Sequence, residues 1–319
     1  MMKIVVLDGY TLNPGDISWS DLEKLGELTV YDRTPKDLIV ERIGDADIAL
    51  TNKTPIDAQT LAACASLKFI GVLATGYNIV DVKAAREKGI VVCNVPSYST
   101  ISVAQLSLAL LLELCHHVGD HSTDVRAGGW SSSIDFCYWR SPLIELQGKT
   151  LGLIGYGQIG SAFAAVVTAL GMNILVYTPS QNKKHERPGL SVVQLDRLLA
   201  ESDVISLHCP LTADNTGMIN RDTIAKMKDG VLLLNTARGA LIVEQDLADA
   251  LNSGKIAGAA LDVLSTEPPA ASNPLLKAKN CVLTPHIAWA PKEARLRLMA
   301  ITVENLKRYA AGEPQNVVN

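Results

Sequence analysis

Three side chains in the last third of the chain could together move a proton and grip an acid. They are Arg238 in the stretch LLLNTARGALI, Glu267 in LDVLSTEPP and His286 in LTPHIAW. An imidazole near its own pKa both gives and takes protons at neutral pH. A carboxylate beside it would hold the ring and favour its charged form, and a guanidinium offers a rigid fork of donors to a carboxylate ligand. Singly, each has a plainer reading: a surface arginine, a turn carboxylate, a satisfied core histidine. His286 is set apart by its place just past the apolar run CVL, next to a proline.

A second constellation lies upstream. LGLIGYGQIGSAFAAVVTALG carries Gly155-x-Gly157-x-x-Gly160 between a strand-like run and a helical run of small residues, with Gln158 and Ile159 inside the motif. In that context the motif predicts a dinucleotide site, and a glycine-rich turn with no ligand is the bland alternative. Gly155 permits the tight turn, Gly157 lets the backbone approach a pyrophosphate, and Gly160 brings helix and strand close. The helix N-terminus then faces the anion. The following strand, NILVYT, would end in an acid if it bound a ribose 2′-hydroxyl. Here it ends at Thr178, followed by Pro179, Ser180, Asn182, Lys183 and Lys184. Nothing there repels a 2′-phosphate, so the reading leans toward NADP(H) over NAD(H), with a solvated polar turn as the alternative.

Further polar groups follow apolar runs in the same half of the chain, His208 after VISL, Thr236 after VLLLN and Asp262 after GAAL, with Pro210 and Ala237 beside them as candidate cofactor contacts. In an open parallel sheet such positions line the carboxyl edge, where ligands bind. The elements that would carry them are legible. Before residue 100, the strand-like runs KIVVLD, LTVYD, DIALTN, LKFIGVLA and IVVCNV alternate with helical ones, which predicts a small doubly wound α/β unit. A long helix follows, with a looser stretch after it. From Lys149 the runs TLGLIG, ILVYT, DVISLHCP, GVLLLNT, IAGAALDV and CVLTP predict a second parallel sheet covered on both faces. The tail PKEARLRLMAITVENLKRYAAG reads as a final helix started by a proline and stopped by a glycine.

In order and spacing, GLIGYGQIG, LLLNTARGALI, AALDVLSTEPP and LTPHIAW closely resemble the D-isomer-specific 2-hydroxyacid dehydrogenases. The stretch DFCYWRSPLIELQGKTLG and the Trp after PHIA are most similar to the glycerate dehydrogenase (hydroxypyruvate reductase) branch. The resemblance implies two doubly wound parallel-sheet domains: a Rossmann cofactor domain over 101–289, and a flavodoxin-like substrate domain made of 1–100 and 290–319. It implies that Arg238, Glu267 and His286 are the catalytic trio. Ala74, Thr75 and Gly76 would receive the substrate carboxylate, Asp262 would bind the nicotinamide carboxamide, and Trp289 would line the substrate site. The activity implied is NAD(P)H-dependent reduction of hydroxypyruvate or glyoxylate to D-glycerate or glycolate, or the reverse, in a homodimer whose interface includes the long helix after Ser99. Thr178 departs from the family's usual acid, and Gln105 stands where many relatives carry Glu. Another small 2-oxo acid such as pyruvate, or a dinucleotide-sensing co-repressor role, is the rival reading.

The bulk numbers agree with such an enzyme. The chain has 319 residues, enough for two domains, with 48% hydrophobic and 19% charged residues and a net charge of −4. No basic stripe suggests a nucleic acid, and no apolar run is long enough to suggest a membrane partner. The six cysteines are scattered, as in a reduced cytoplasmic protein. Cys115, His116, His117 and His121 cluster near a helix end, where histidines serve the helix dipole, and no metal is expected.

Overall fold

The computed structural model describes residues 2–180 and 183–319, with Lys183 described by its backbone alone. The chain falls into two compact units, Met1–Ser99 with Trp289–Asn319, and Thr100–Ala288.

In the first unit, β1 (Met2–Val6), β2 (Gly26–Val30), β3 (Ile48–Thr51), β4 (Phe69–Val72) and β5 (Val91–Cys93) form a parallel sheet in the order β2-β1-β3-β4-β5. Every residue of β3 and β4 is buried, as strands covered on both faces require. Helices α1 (Ser20–Glu23), α2 (Ile39–Ile43), α3 (Ala58–Ala63) and α4 (Val82–Glu87) connect them. Asp57 and Asp81 cap α3 and α4 by accepting the amides of Thr60 and Ala84. The final helix, α11 (Lys292–Ala310), returns to this unit and packs Leu298, Val303 and Leu306 against Ile4, Val6 and Phe69.

The second unit holds β6 (Thr150–Ile154), β7 (Asn173–Tyr177), β8 (Leu190–Val192), β9 (Val204–Leu207), β10 (Val231–Asn235), β11 (Ile256–Leu261) and β12 (Cys281–Leu283). All pair in parallel, in the order β12-β11-β10-β9-β6-β7-β8. The winding reverses between β6 and β9, and a crevice opens beyond the carboxyl ends of strands at such a reversal. Its helices are α5 (Thr100–His116), α6 (Val118–Arg126), α7 (Gln158–Ala169), α8 (Leu195–Glu201), α9 (Arg221–Ala225) and α10 (Glu244–Ser253).

Two features differ from the sequence reading. The edge strand β8 has no counterpart in it: three residues, with Ser191 exposed between Leu190 and Val192, carry too little pattern. The stretch after the long helix is not wholly loose, because α6 follows α5 after a 58° bend at His117, whose φ is 48°. His121 Nδ1 then meets the His117 carbonyl at 2.9 Å. Among the described residues no group of three or more His, Cys, Asp or Glu is placed to hold a metal. No single helix among them is long and apolar enough to cross a membrane.

Candidate active site

The site is built on the carboxyl edge of the second sheet. β11 ends at Leu261, and the next residue, Asp262, is 1% exposed. Its Oδ1 accepts from Thr284 Oγ1 at 2.6 Å and from the Ile287 amide at 2.9 Å, and its Oδ2 accepts from the Ala288 amide at 2.9 Å. Its carbonyl takes the His286 amide, also at 2.9 Å. One aspartate therefore ties down the whole turn after β12. That turn needs tying, because His286 has φ 54°, a left-handed conformation that a residue with a Cβ adopts at a cost. Held this way, His286 places Nδ1 2.6 Å from Glu267 Oε2. With Nδ1–H donated to the carboxylate, Nε2 is the ring atom left to exchange a proton with a ligand. The imidazole is 30% exposed and the carboxylate 36%, so the pair is open to a substrate.

Glu267 sits on an exposed loop and folds back on it, its Oε1 accepting the Leu264 amide at 3.1 Å. The loop after β10 lies directly against this one. A Cβ on Gly239 would fall onto the backbone of Leu264 and Ser265, so only glycine allows the approach. Arg238, the residue before it, is thereby carried to the same rim with its side chain exposed. Its Nη1 donates to the Ala237 carbonyl at 2.7 Å. Buried Asn235 shapes this turn, with its Oδ1 on the Ala237 amide at 3.0 Å and its Nδ2 on the Arg238 carbonyl at 2.8 Å.

The glycine loop follows β6. Gly155 has φ 97°, and a Cβ there would come within 2.6 Å of the Cys209 amide nitrogen. A Cβ on Gly160 would meet the Gly155 carbonyl oxygen at 2.5 Å. At Gly157 a Cβ would meet nothing within 4 Å, and no side chain caps α7, which begins at the next residue. An uncapped helix start beneath open space fits a dinucleotide pyrophosphate. Gln158 Oε1 accepts from Thr100 Oγ1 at 3.2 Å, Ile159 is half-buried and Gly160 is buried. Behind the loop, His208 Nε2 lies 2.9 Å from Ser206 Oγ and its ring 5.4 Å from that of Phe163. Burial pushes the His208 pKa down to about 4, so the ring is neutral at pH 7.

A family model for the D-isomer specific 2-hydroxyacid dehydrogenase NAD binding domain matches residues 108–288. Across the full length of both chains, the protein is 58% identical to a hydroxypyruvate reductase of Blautia hydrogenotrophica. It is 40% identical to a glycerate dehydrogenase of Methylorubrum extorquens, over 99% of this chain and 98% of the other. The structure of an NADPH-dependent glyoxylate/hydroxypyruvate reductase from Sinorhizobium meliloti, in complex with citrate, superposes with a TM-score of 0.85 at 29% identity, over 100% of this chain and 98% of that one. The chain belongs to the D-isomer-specific 2-hydroxyacid dehydrogenase family. It is an NAD(P)-dependent oxidoreductase acting on the CH–OH group of D-2-hydroxy acids.

The remaining expected residues of this dehydrogenase fall as follows. Thr236 is buried, its hydroxyl 3.0 Å from that of Ser107 on α5, and Pro210 is exposed with its carbonyl accepting from Asn215 at 2.8 Å. Thr178 directly follows β7, with its hydroxyl 3.4 Å from that of Ser180. Asn182, expected beside them, lies outside the described residues. In the first unit, Ala74, Thr75 and Gly76 follow β4. The Val95 amide donates to the Ala74 carbonyl and Thr75 Oγ1 to the Val95 carbonyl, each at 3.0 Å, while Asn94 Nδ2 donates to the Thr75 carbonyl at 2.7 Å. Trp289 also belongs to that unit, with its ring 6.5 Å from that of Tyr98. Sequence reasoning missed Gly239 and Asn235, although both stand in the very stretch, LLLNTARGALI, that was singled out for its arginine. It also gave Asp262 a ligand and overlooked the turn its carboxylate holds.

Proposed function

We propose that this dehydrogenase reduces hydroxypyruvate to D-glycerate, and glyoxylate to glycolate, with Arg238, Glu267 and His286 as its catalytic residues. The observation that carries the reading is the 2.6 Å contact of His286 Nδ1 with Glu267 on the rim that also bears the open glycine loop. His286 Nε2 donates the proton to the C2 oxygen in reduction and takes it back in oxidation. Arg238 grips the carboxylate and polarises the carbonyl. The amides around Ala74, Thr75 and Gly76 are assigned a second hold on the carboxylate, and Trp289 a place against the substrate. A reduced nicotinamide, when bound, supplies the hydride. Gly155, Gly157, Gln158, Ile159 and Gly160, with Thr178, His208, Pro210, Thr236, Ala237 and Asp262, are the assigned cofactor contacts. The names of the relatives support the substrate class, and the hydroxyls of Thr178 and Ser180 in place of an acid support a preference for NADPH.

The working form assigned is a cytoplasmic homodimer. Six free cysteines support the location, with burial pushing the Cys93 and Cys115 thiols up to about 11 and Cys281 to about 12. For the dimer, the support is an apolar surface on the segment after α6, where Trp130, Ile134, Phe136 and Trp139 are all exposed. That segment is fastened to α6 by Tyr138 and Arg140 on Asp124. A second copy would cover it.

The test is NADPH and NADH oxidation with hydroxypyruvate, glyoxylate and pyruvate. The expected result is highest kcat/KM for hydroxypyruvate with NADPH, and a loss of at least about a thousandfold in kcat for His286→Gln. Pyruvate as the best substrate would move the enzyme to a lactate-type reaction. Background rates with all three acids would favour a dinucleotide-sensing protein.

A further inference from the structure

The loop that carries Glu267 has little packing of its own, since residues 265–270 are all exposed. A loop without buried contacts takes its position from whatever hydrogen bonds and close approaches hold it. One of these comes from Gly239, as described. Another comes from the first residue of α10. Glu244 is half-buried; its Oε1 accepts the Ser265 amide at 2.7 Å, and its Oε2 accepts Asn273 Nδ2 at 2.8 Å. Asn273 is itself fixed, because its Oδ1 accepts the Leu275 amide at 3.0 Å and caps a short helical turn, Pro274–Lys277. The chain between Ser265 and Asn273 is therefore clamped at both ends by one carboxylate, and Glu267 lies within the clamped span.

We infer that Glu244 is a positioning residue for the acid–base pair: by holding Ser265 and Asn273 together it sets the place of Glu267, and through Glu267 the orientation of the His286 ring. It touches neither substrate nor cofactor. The inference rests on the reading of His286 as proton donor. A carboxylate is needed at this position because both partners are donors, an amide N–H on one side and an NH2 group on the other. Glutamine offers one acceptor and one donor, so Glu244→Gln sets an NH2 group against a donor and releases one end of the clamp. The pairing can be restored. In the double variant Glu244→Gln/Asn273→Asp, the introduced amide accepts from Ser265 and donates to the introduced carboxylate, whose other oxygen still accepts the Leu275 amide.

The experiment measures NADPH-driven reduction of hydroxypyruvate by the full-length wild type, the two single variants and the double variant. Cofactor Kd, thermal melts and the solvent deuterium isotope effect on kcat are read alongside. Glu244→Gln is expected to lower kcat about tenfold, with KM and NADPH Kd within about twofold of wild type, and to raise the isotope effect as proton delivery becomes slower. The double variant is expected to return kcat to within about threefold of wild type. If Glu244→Gln does not fold, Asn273→Ala, which releases the other end of the clamp, takes its place with the same expectations. A wild-type kcat and isotope effect in the single variant would overturn the inference. So would a loss seen only in NADPH binding or melting, or a double variant no faster than the single one. His286→Gln separates this from the parent reading: if it abolishes turnover while Glu244→Gln does not lower it, the proton donor stands and the clamp falls.

Discussion

The glycine loop and the acid–base turns share one sheet edge but are built by opposite means. Around Gly155, Gly157 and Gly160 the working surface is backbone, and the sequence contributes by leaving side chains out. Around His286 the working groups are side chains, and further side chains hold them: Asp262 under the histidine turn, Glu244 behind the glutamate loop. Errors in the first region act through steric collision or lost anion contact. Errors in the second act through a few tenths of an ångström in a hydrogen bond. On the proposed reading, the open backbone loop governs cofactor affinity and the braced side-chain pair governs rate.

Among variants that keep the fold and the acid–base pair, Asp262→Asn should have the largest effect. One of the three donors on its buried carboxylate would then face an NH2 group, and an unmet buried donor costs about 1–3 kcal/mol. Because the histidine turn absorbs that change, kcat should fall on the order of a hundredfold, a larger loss than the weakening of cofactor Kd from the altered carboxamide contact. A weakened cofactor Kd at unchanged kcat would instead leave Asp262 a cofactor contact alone, with no hold on rate through the histidine turn. Next in size is Gly157→Ala. Its Cβ would enter empty space, so the fold should melt as wild type while NADPH Kd, read by fluorescence titration, weakens about tenfold. Gly155→Ala should lose the fold as well, since its Cβ meets the backbone of His208 and Cys209.

A separate effect, outside the rate and affinity of the two regions, is on stability against pH. The pKa of His208 is held down to about 4 by burial, against about 6.5 in an unfolded chain. The stability lent by the neutral ring is therefore full above about pH 6.5 and declines as pH falls from there to about 4, on the order of 3 kcal/mol in all. Urea melts at pH 7.5 and pH 5 should show about 2 kcal/mol of this loss in the wild type and less of it in His208→Gln.

Which parts were legible follows from the same contrast. Among the described residues, eleven of the twelve strands were readable as apolar runs, and the edge strand β8, three residues long, was too short to show a pattern. The glycine spacing is a local pattern and speaks for itself. Arg238 and His286 were marked by their place after apolar runs and Glu267 by the family resemblance, and the structure brings Glu267 and His286 into contact. Their supports were not marked. Glu244 and Ser265 are 21 residues apart, and Asp262 and Ala288 are 26 apart. Nothing in one stretch of chain announces a partner that only folding brings near. The break at His117 was hidden for a similar reason, because helical residues continue on both sides of a single left-handed one.

Asp262 has a consequence for how the chain leaves its second unit. The amide it grips last, that of Ala288, belongs to the final residue of that unit, and Trp289 opens the next. The carboxylate is thus a mooring at the point of departure. The amides of Ile287 and Ala288 on that carboxylate stand between His286 and the departing chain, so the place of the imidazole is fixed from within the second unit up to its last residue.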